Sequence, residues 1–87
     1  MDAPHDAILT FEYDDQRRAR VVERSLRPEV EPLADARSQA TLGHENTTLT
    51  VRIEADDLVA LRAALNTWCS LVDTAETVAD AAERDDA

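Results

Sequence analysis

The chain has 87 residues and a formal net charge of −10, and its nine basic residues are all arginine. This length supports one domain with a thin core, and the acidity argues against a free-standing RNA-binding module. Acidic excess without lysine is what a high-salt cytoplasm selects, so we expect a halophilic source. A single cysteine excludes an internal disulfide, and no segment reaches the roughly 20 apolar residues of a membrane span. The N-terminus lacks the pattern of a signal peptide, and we expect a cytoplasmic protein.

The first half of the chain predicts a strand, a helix and a loop. Apolar and polar residues alternate over residues 7–13, which is typical of a half-buried strand. Asp14 and Asp15 then supply a helix cap and negative charge for a first turn. The helix runs to about Leu26, where Pro28 ends it because the residue before proline disfavours the helical conformation. We expect a loop from Pro28 to Arg37.

The middle of the chain predicts a β-hairpin. Residues 38–44 form a weak strand pattern with Ala40 and Leu42 facing inward. A short turn over residues 44–47 leads into the clearest strand, which covers residues 48–54 and directs Leu49, Val51 and Ile53 inward. The order of elements up to this point is strand, helix, strand, strand.

The last helix begins after an Asp56 or Asp57 cap and continues to the end of the chain without glycine or proline. It carries an apolar series in heptad spacing, Leu58, Leu61, Leu65, Trp68, Val72, Ala75 and Ala79. A shorter stripe through Ala64, Leu71 and Val78 runs beside it. Two apolar faces on one helix require a second helical surface besides the chain's own sheet, which favours an oligomer.

These elements predict an α+β fold, a three-stranded antiparallel sheet with two helices packed on one face. We expect one dimerisation domain over residues 1–75, followed by an acidic, alanine-rich extension over residues 76–87 that frays.

The residues that usually carry chemistry form no catalytic or metal-binding pattern. His5 and His44 have no cysteine or second histidine at a ligand spacing, and both are expected to be solvated. Cys69 is expected to be a buried thiol or an interface residue, since no base can be assigned to it. Gly43 is the only glycine, which excludes a phosphate-binding loop and a Gly-x-x-Gly RNA-binding loop. We therefore expect neither an enzyme nor a cofactor.

One basic feature stands out against the acidity. Four arginines of the first helix fall within an arc of about 80°, facing away from the apolar side: Arg17, Arg20, Arg24 and Arg27. This arginine stripe is suited to RNA phosphates or to acidic residues of a partner. The alternative is a solvated face balanced by nearby acids.

Two segments resemble the small dimerising subunit of the KEOPS complex, a family of archaea and eukaryotes. One is Ser25-Leu26-Arg27-Pro28-Glu29, in which Leu26, Pro28 and Glu29 match the family's motif at the end of the first helix. The other comprises residues 53–57 and Leu61-Arg62-Ala63-Ala64-Leu65-Asn66. The resemblance covers roughly residues 7–75.

The resemblance implies a non-catalytic scaffold subunit. Such a subunit dimerises and binds the catalytic threonylcarbamoyltransferase subunit, which modifies adenosine 37 of tRNA, and it assists tRNA binding through the complex. We expect a dimer and partner interface on the last helix, formed by Leu58, Leu61, Arg62, Leu65, Asn66, Trp68, Leu71 and Val72. Two alternatives stay open, a free-standing RNA-binding module and a plain dimerisation domain.

Overall fold

The computed structural model describes the backbone of residues 5–85 and the side chains up to residue 82. Its elements follow the predicted order and give a three-stranded antiparallel sheet with helices on one face. They are β1 (His5–Glu12), α1 (Gln16–Leu26), α2 (Val30–Leu33), β2 (Ser38–Glu45), β3 (Thr48–Ala55) and α3 (Leu58–Asp85). The predicted fold class is confirmed. Among the described residues, no helix is long and apolar enough to cross a bilayer.

The sheet has the order β1-β3-β2, so the most apolar strand lies in the centre. Leu49, Val51 and Ile53 of β3 are fully buried, and the register places Leu9 and Leu42 on either side of Val51. The opposite face of the sheet carries mainly threonines and charged residues, together with Ile8, which is 60% exposed, because side chains alternate along each strand. The sheet therefore has one covered face and one open, mostly polar face.

Helix α1 begins where the sequence predicts. The Asp15 side chain accepts a hydrogen bond of 2.8 Å from the Arg18 backbone N–H, which caps the first turn. Ala19, Val22 and Leu26 are buried, and together they form the inner face of the helix.

The prediction of a loop over residues 28–37 is partly wrong. A 3₁₀ turn over Arg27–Glu29 continues α1, and the one-turn helix α2 follows it. Pro28 stands at the start of the 3₁₀ turn, where the missing proline N–H removes no helical hydrogen bond. Val30 and Leu33 pack against the core, which holds this segment on the sheet.

The β2–β3 connection is a two-residue hairpin turn through Asn46 and Thr47, tighter than the turn expected over residues 44–47. Asn46 has a φ of 56°, which asparagine tolerates better than most residues. The Tyr13 backbone N–H donates to the Thr47 carbonyl at 2.9 Å, and this bond ties the end of β1 to the hairpin.

Helix α3 has Asp57 at its cap, since the Asp57 carboxylate accepts a hydrogen bond of 2.8 Å from the Ala60 N–H. The helix continues without a break through the domain boundary predicted at residue 75, and Ala79 beyond that boundary is only 2% exposed. Residues 86 and 87 of the predicted extension lie outside the described residues.

Candidate interaction surfaces

The heptad series of α3 belongs mainly to the core of this chain. Trp68, Val72, Ala75 and Ala79 are at most 5% exposed and pack against the sheet and α1. The prediction that Trp68 and Val72 contact a partner therefore needs correction, because their surface is already used within the chain. Leu61, Leu65 and Leu71 are half-buried and pack against the edge of this core.

The first turns of α3 behave differently. Leu58 is 63% exposed and Val59 is 72% exposed, and both line a shallow depression with Arg62, Ala63 and Asn66. We call these five residues the entry patch of α3. Fully burying a Leu or Val side chain is favourable by roughly 1.5–3 kcal/mol, so covering the exposed parts of Leu58 and Val59 would contribute roughly 1–2 kcal/mol each. The patch is therefore suited to a partner.

Arg62 and Asn66 are exposed in the patch, where the sequence placed them as interface residues. Val59 lies outside the heptad series, so heptad spacing alone does not predict its place in the patch.

A groove of about 280 Å³ lies beside the entry patch, between α3 and the start of β2. Its apolar wall is formed by Leu33, Ala40, Val59, Ala60, Ala63, Ala64 and Trp68. No sequence pattern indicated this groove, because it depends on the distance between α3 and the α2–β2 connection.

A polar corner fixes one end of the groove. The Arg37 guanidinium forms an ion pair with the Asp57 carboxylate, which also caps α3. The Asp35 carboxylate accepts hydrogen bonds from the backbone N–H groups of Arg37, at 2.7 Å, and Ser38, at 2.9 Å. These two backbone bonds lower the pKa of Asp35. The Ala60 N–H and Arg37 lower the pKa of Asp57, and Asp57 in turn raises the pKa of Arg37.

The outer edge of β2 is open over three residues. Glu45 and Thr48 flank the two-residue hairpin turn and therefore form a hydrogen-bonded pair. Because such pairs alternate along an antiparallel ladder, every second residue of β2, counted from Glu45 toward the N-terminus, directs its backbone N–H and C=O toward β3. The backbone groups of Ala40, Leu42 and His44 consequently point away from the sheet. Ser38 would continue this row, but its N–H and carbonyl are both bonded to Asp35.

The edge of β2 also lacks the usual protection. Natural edge strands avoid pairing with other chains through proline, bulges or charged side chains. In β2 the register is continuous, proline is absent, and no Asp, Glu, Lys or Arg occurs before Glu45.

The arginine stripe lies on the exposed side of α1, as predicted. Its members differ in their contacts. Arg27 pairs with Glu23, and Arg17 also has a polar or electrostatic contact within the chain. Arg20 and Arg24 form no ion pair with any of the described residues. They are one helical turn apart, so they can meet one anionic group together.

The other predicted residues serve the fold or the solvent. Leu26 is 1% exposed and belongs to the core, Pro28 is exposed, and Glu29 is half-buried. Cys69 was expected to be buried or at an interface, but it is exposed in this chain. His5 is half-buried and His44 is exposed at the hairpin. Among the described residues, no group of three His, Cys, Asp or Glu side chains is arranged to hold a metal ion.

Comparison with known proteins identifies the family. A family model described as "Transcription factor Pcc1" matches residues 6–80. The chain belongs to the Pcc1 family. This match confirms the family that the two sequence motifs resemble, a family of KEOPS subunits. No curated protein matches the chain.

A solved structure shares the fold. The chain superimposes on a chain of the crystal structure of the binary complex Gon7-Pcc1 with a TM-score of 0.81. The two are 17% identical, and the alignment covers 92% of this chain and 98% of the other. At this identity the likeness concerns the fold alone.

Proposed function

We propose that the chain is a non-catalytic scaffold subunit of KEOPS that dimerises and binds the catalytic threonylcarbamoyltransferase subunit during modification of tRNA adenosine 37. The Pcc1 family match over residues 6–80 carries this proposal. The exposed entry patch and the open edge of β2 support it, because each is a surface that a partner can use. The acidic, lysine-free composition supports a halophilic cytoplasm as its setting.

A second copy of the chain fits the open edge of β2. In an antiparallel pair of β2 strands with the two-fold axis at Leu42, Ala40 of one copy lies opposite His44 of the other. This register joins all three residues with outward backbone groups and forms about six hydrogen bonds. Moving the axis by one residue toward Ala40 would set His44 against Ser38, whose backbone groups are already bonded to Asp35. The pairing would also place the second copy beside the groove.

Cysteine cross-linking tests this register. In a pair centred on Leu42, residue 41 of one copy lies opposite residue 43 of the other, at a distance suited to a disulfide. A Cβ at Gly43 would meet no atom within 4 Å, so Gly43→Cys is tolerated. With Cys69→Ser as background, we expect a Thr41→Cys chain mixed with a Gly43→Cys chain to cross-link more than either alone.

A matched control uses Thr50→Cys. Thr50 lies on the same open face but in the central strand, where it cannot meet its counterpart, so we expect no cross-link there. A dimer that fails to form the mixed cross-link would refute the β2 pairing while leaving the scaffold role in place. A monomer at all concentrations would refute dimerisation.

The entry patch fits a helix of the catalytic subunit. It combines two exposed apolar side chains with the flanking Arg62 and Asn66, which can orient a partner through polar contacts. We expect Val59→Asp to abolish binding of the catalytic subunit and to leave the circular dichroism spectrum and thermal stability nearly unchanged. Val78→Asp is the control, since Val78 is also exposed on α3 but lies outside the patch. Equal binding by both variants would rule out the patch.

Arg20 and Arg24 support a second candidate role, direct contact with tRNA phosphates. Both side chains are exposed and lie on one face. We expect the double variant Arg20→Gln/Arg24→Gln to weaken tRNA binding by the assembled complex. The slope of the logarithm of the binding constant against the logarithm of salt concentration should fall in magnitude by up to about 2. Replacement of Arg52, an exposed arginine on the open face of the sheet, is the control. Identical salt slopes would leave the stripe as a solvated face.

A pull-down with purified catalytic subunit and tRNA separates the alternatives. A scaffold binds the transferase, a free-standing RNA-binding module binds tRNA without it, and a plain dimerisation domain binds neither.

A further inference from the structure

The second half of α3 carries charges that oppose its own helix. From Asp73 onward the sequence contains six acidic residues and one arginine. Three like-charge pairs of α3 stand three or four residues apart, at 73/76, 76/80 and 80/83, and like charges at this spacing repel each other on a helix. Acidic residues near a helix C-terminus also face the negative end of the helix dipole. In dilute buffer the electrostatic free energy therefore favours unwinding of this segment.

Apolar packing offsets this repulsion only weakly. Ala75 and Ala79 are the buried apolar residues among the described side chains of this half, and an alanine side chain contributes only one methyl group. Val78 is 55% exposed. The earlier half of the helix is held by Trp68 and Val72, both 2% exposed.

Among the described side chains, two polar contacts hold the acidic half in place. The Tyr13 hydroxyl donates a hydrogen bond of 2.7 Å to Glu76 Oε2, and Arg18 Nη1 lies 2.5 Å from Asp80 Oδ1. The Arg18 guanidinium also lies 5.9 Å from the centre of the Tyr13 ring. Tyr13 and Arg18 stand on either side of the β1–α1 turn, so the two contacts form one clamp between this turn and α3.

We infer that residues 73–85 form an acidic arm whose docking is controlled by ionic strength. The arm is docked in molar salt and released in dilute buffer. The Debye length is about 30 Å at 0.01 M and about 3 Å at 1 M, so added salt removes the repulsion between carboxylates one turn apart. The clamp contacts are direct and partly buried, and salt weakens them less. This inference does not depend on the proposed function.

Amide hydrogen exchange tests the arm. We expect the amides of residues 75–82 to exchange about fivefold faster in dilute buffer than in molar salt, because three like-charge pairs repel each other there. The amides of Val51 and Ile53 report global unfolding. Their exchange should slow by a smaller factor when salt is added. If the arm and β3 respond to salt equally, or if the arm does not respond, the inference is wrong.

Charge-matched variants separate the arm from the overall net charge. One variant neutralises the three acids of the arm outside the clamp, Asp73→Asn, Glu83→Gln and Asp85→Asn. The control neutralises three acids elsewhere, Glu31→Gln, Glu45→Gln and Glu54→Gln. The first should protect the arm in dilute buffer, and the second should leave its salt response unchanged. Equal protection by both variants would assign the effect to net charge and overturn the inference.

The clamp has its own test. Tyr13→Phe removes the hydroxyl but keeps the ring, so the arm should be released at a higher salt concentration than in the native chain. The exchange rates of the Val51 and Ile53 amides should change less than those of the arm. An unchanged salt midpoint would show that Tyr13 does not hold the arm.

Discussion

Replacing Val72 by alanine measures how much of the heptad series serves the core. Val72 is 2% exposed, and the substitution removes two methylene equivalents, about 1.6 kcal/mol of transfer free energy. The cavity left in a packed core adds about 1 kcal/mol, and the higher helix propensity of alanine returns about 0.5 kcal/mol. The free energy of unfolding should therefore fall by about 2 kcal/mol. For a domain of this size, the melting temperature should fall by about 8–16 °C.

Val78→Ala is the matched control for this prediction. It makes the same chemical change on the same helix and has the same gain in helix propensity, but Val78 is 55% exposed. Its effect should stay within about 0.5 kcal/mol. Urea unfolding of both variants, with unchanged m-values, gives the comparison. Equal losses for Val72→Ala and Val78→Ala would contradict the orientation of α3 on the sheet.

Three further predictions concern titration and folding. Burial and then the Glu76 hydrogen bond raise the pKa of Tyr13 above that of a free tyrosine, so the folded protein should show no phenolate absorbance at about pH 10.5. Because the unfolded chain loses this proton first, stability should fall as pH rises above about 10 in the native chain but not in Tyr13→Phe. The lowered pKa values of Asp35 and Asp57 act in the opposite direction, since their stabilisation is present above about pH 4 and is lost as pH falls through the lowered values. Asp57→Asn should thus unfold more easily at pH 7 and show a weaker dependence on pH below 4 in acid titrations followed by circular dichroism. Leu65 is half-buried on α3, so Leu65→Asp should lower both the free energy of unfolding and the affinity of the dimer. A variant that is as stable and as dimeric as the native chain would contradict the packing of Leu65 against the core.

The sequence predicts the secondary structure well where local signals agree with tertiary packing. Alternation in β1 and β3, the Asp15 cap and the unbroken pattern of α3 are local, and each element appears within one or two residues of its predicted bounds. The helical turn after Pro28 could not be predicted, because it is stabilised by the packing of Val30 and Leu33 against the core. No local sequence pattern indicates that contact.

The candidate surfaces could be predicted only in part. Heptad spacing shows that α3 has an apolar face, but the spacing is the same whether that face meets the chain's own sheet or another chain. Only the packing of Trp68 and Val72 decides this. The open edge of β2 depends on the strand order β1-β3-β2, which brings strands distant in sequence together. Arg20 and Arg24 were found from helical spacing alone, whereas their lack of ion pairs with the described residues required the fold.

The central claim is that this chain is a dimeric scaffold for a catalytic subunit, and light scattering coupled to size exclusion in molar salt tests it most directly. The chain alone should elute at twice its mass of 9.6 kDa, and the dimer should shift to a larger species when the catalytic subunit is added. A 9.6 kDa monomer that stays unchanged in the presence of that subunit would contradict the account.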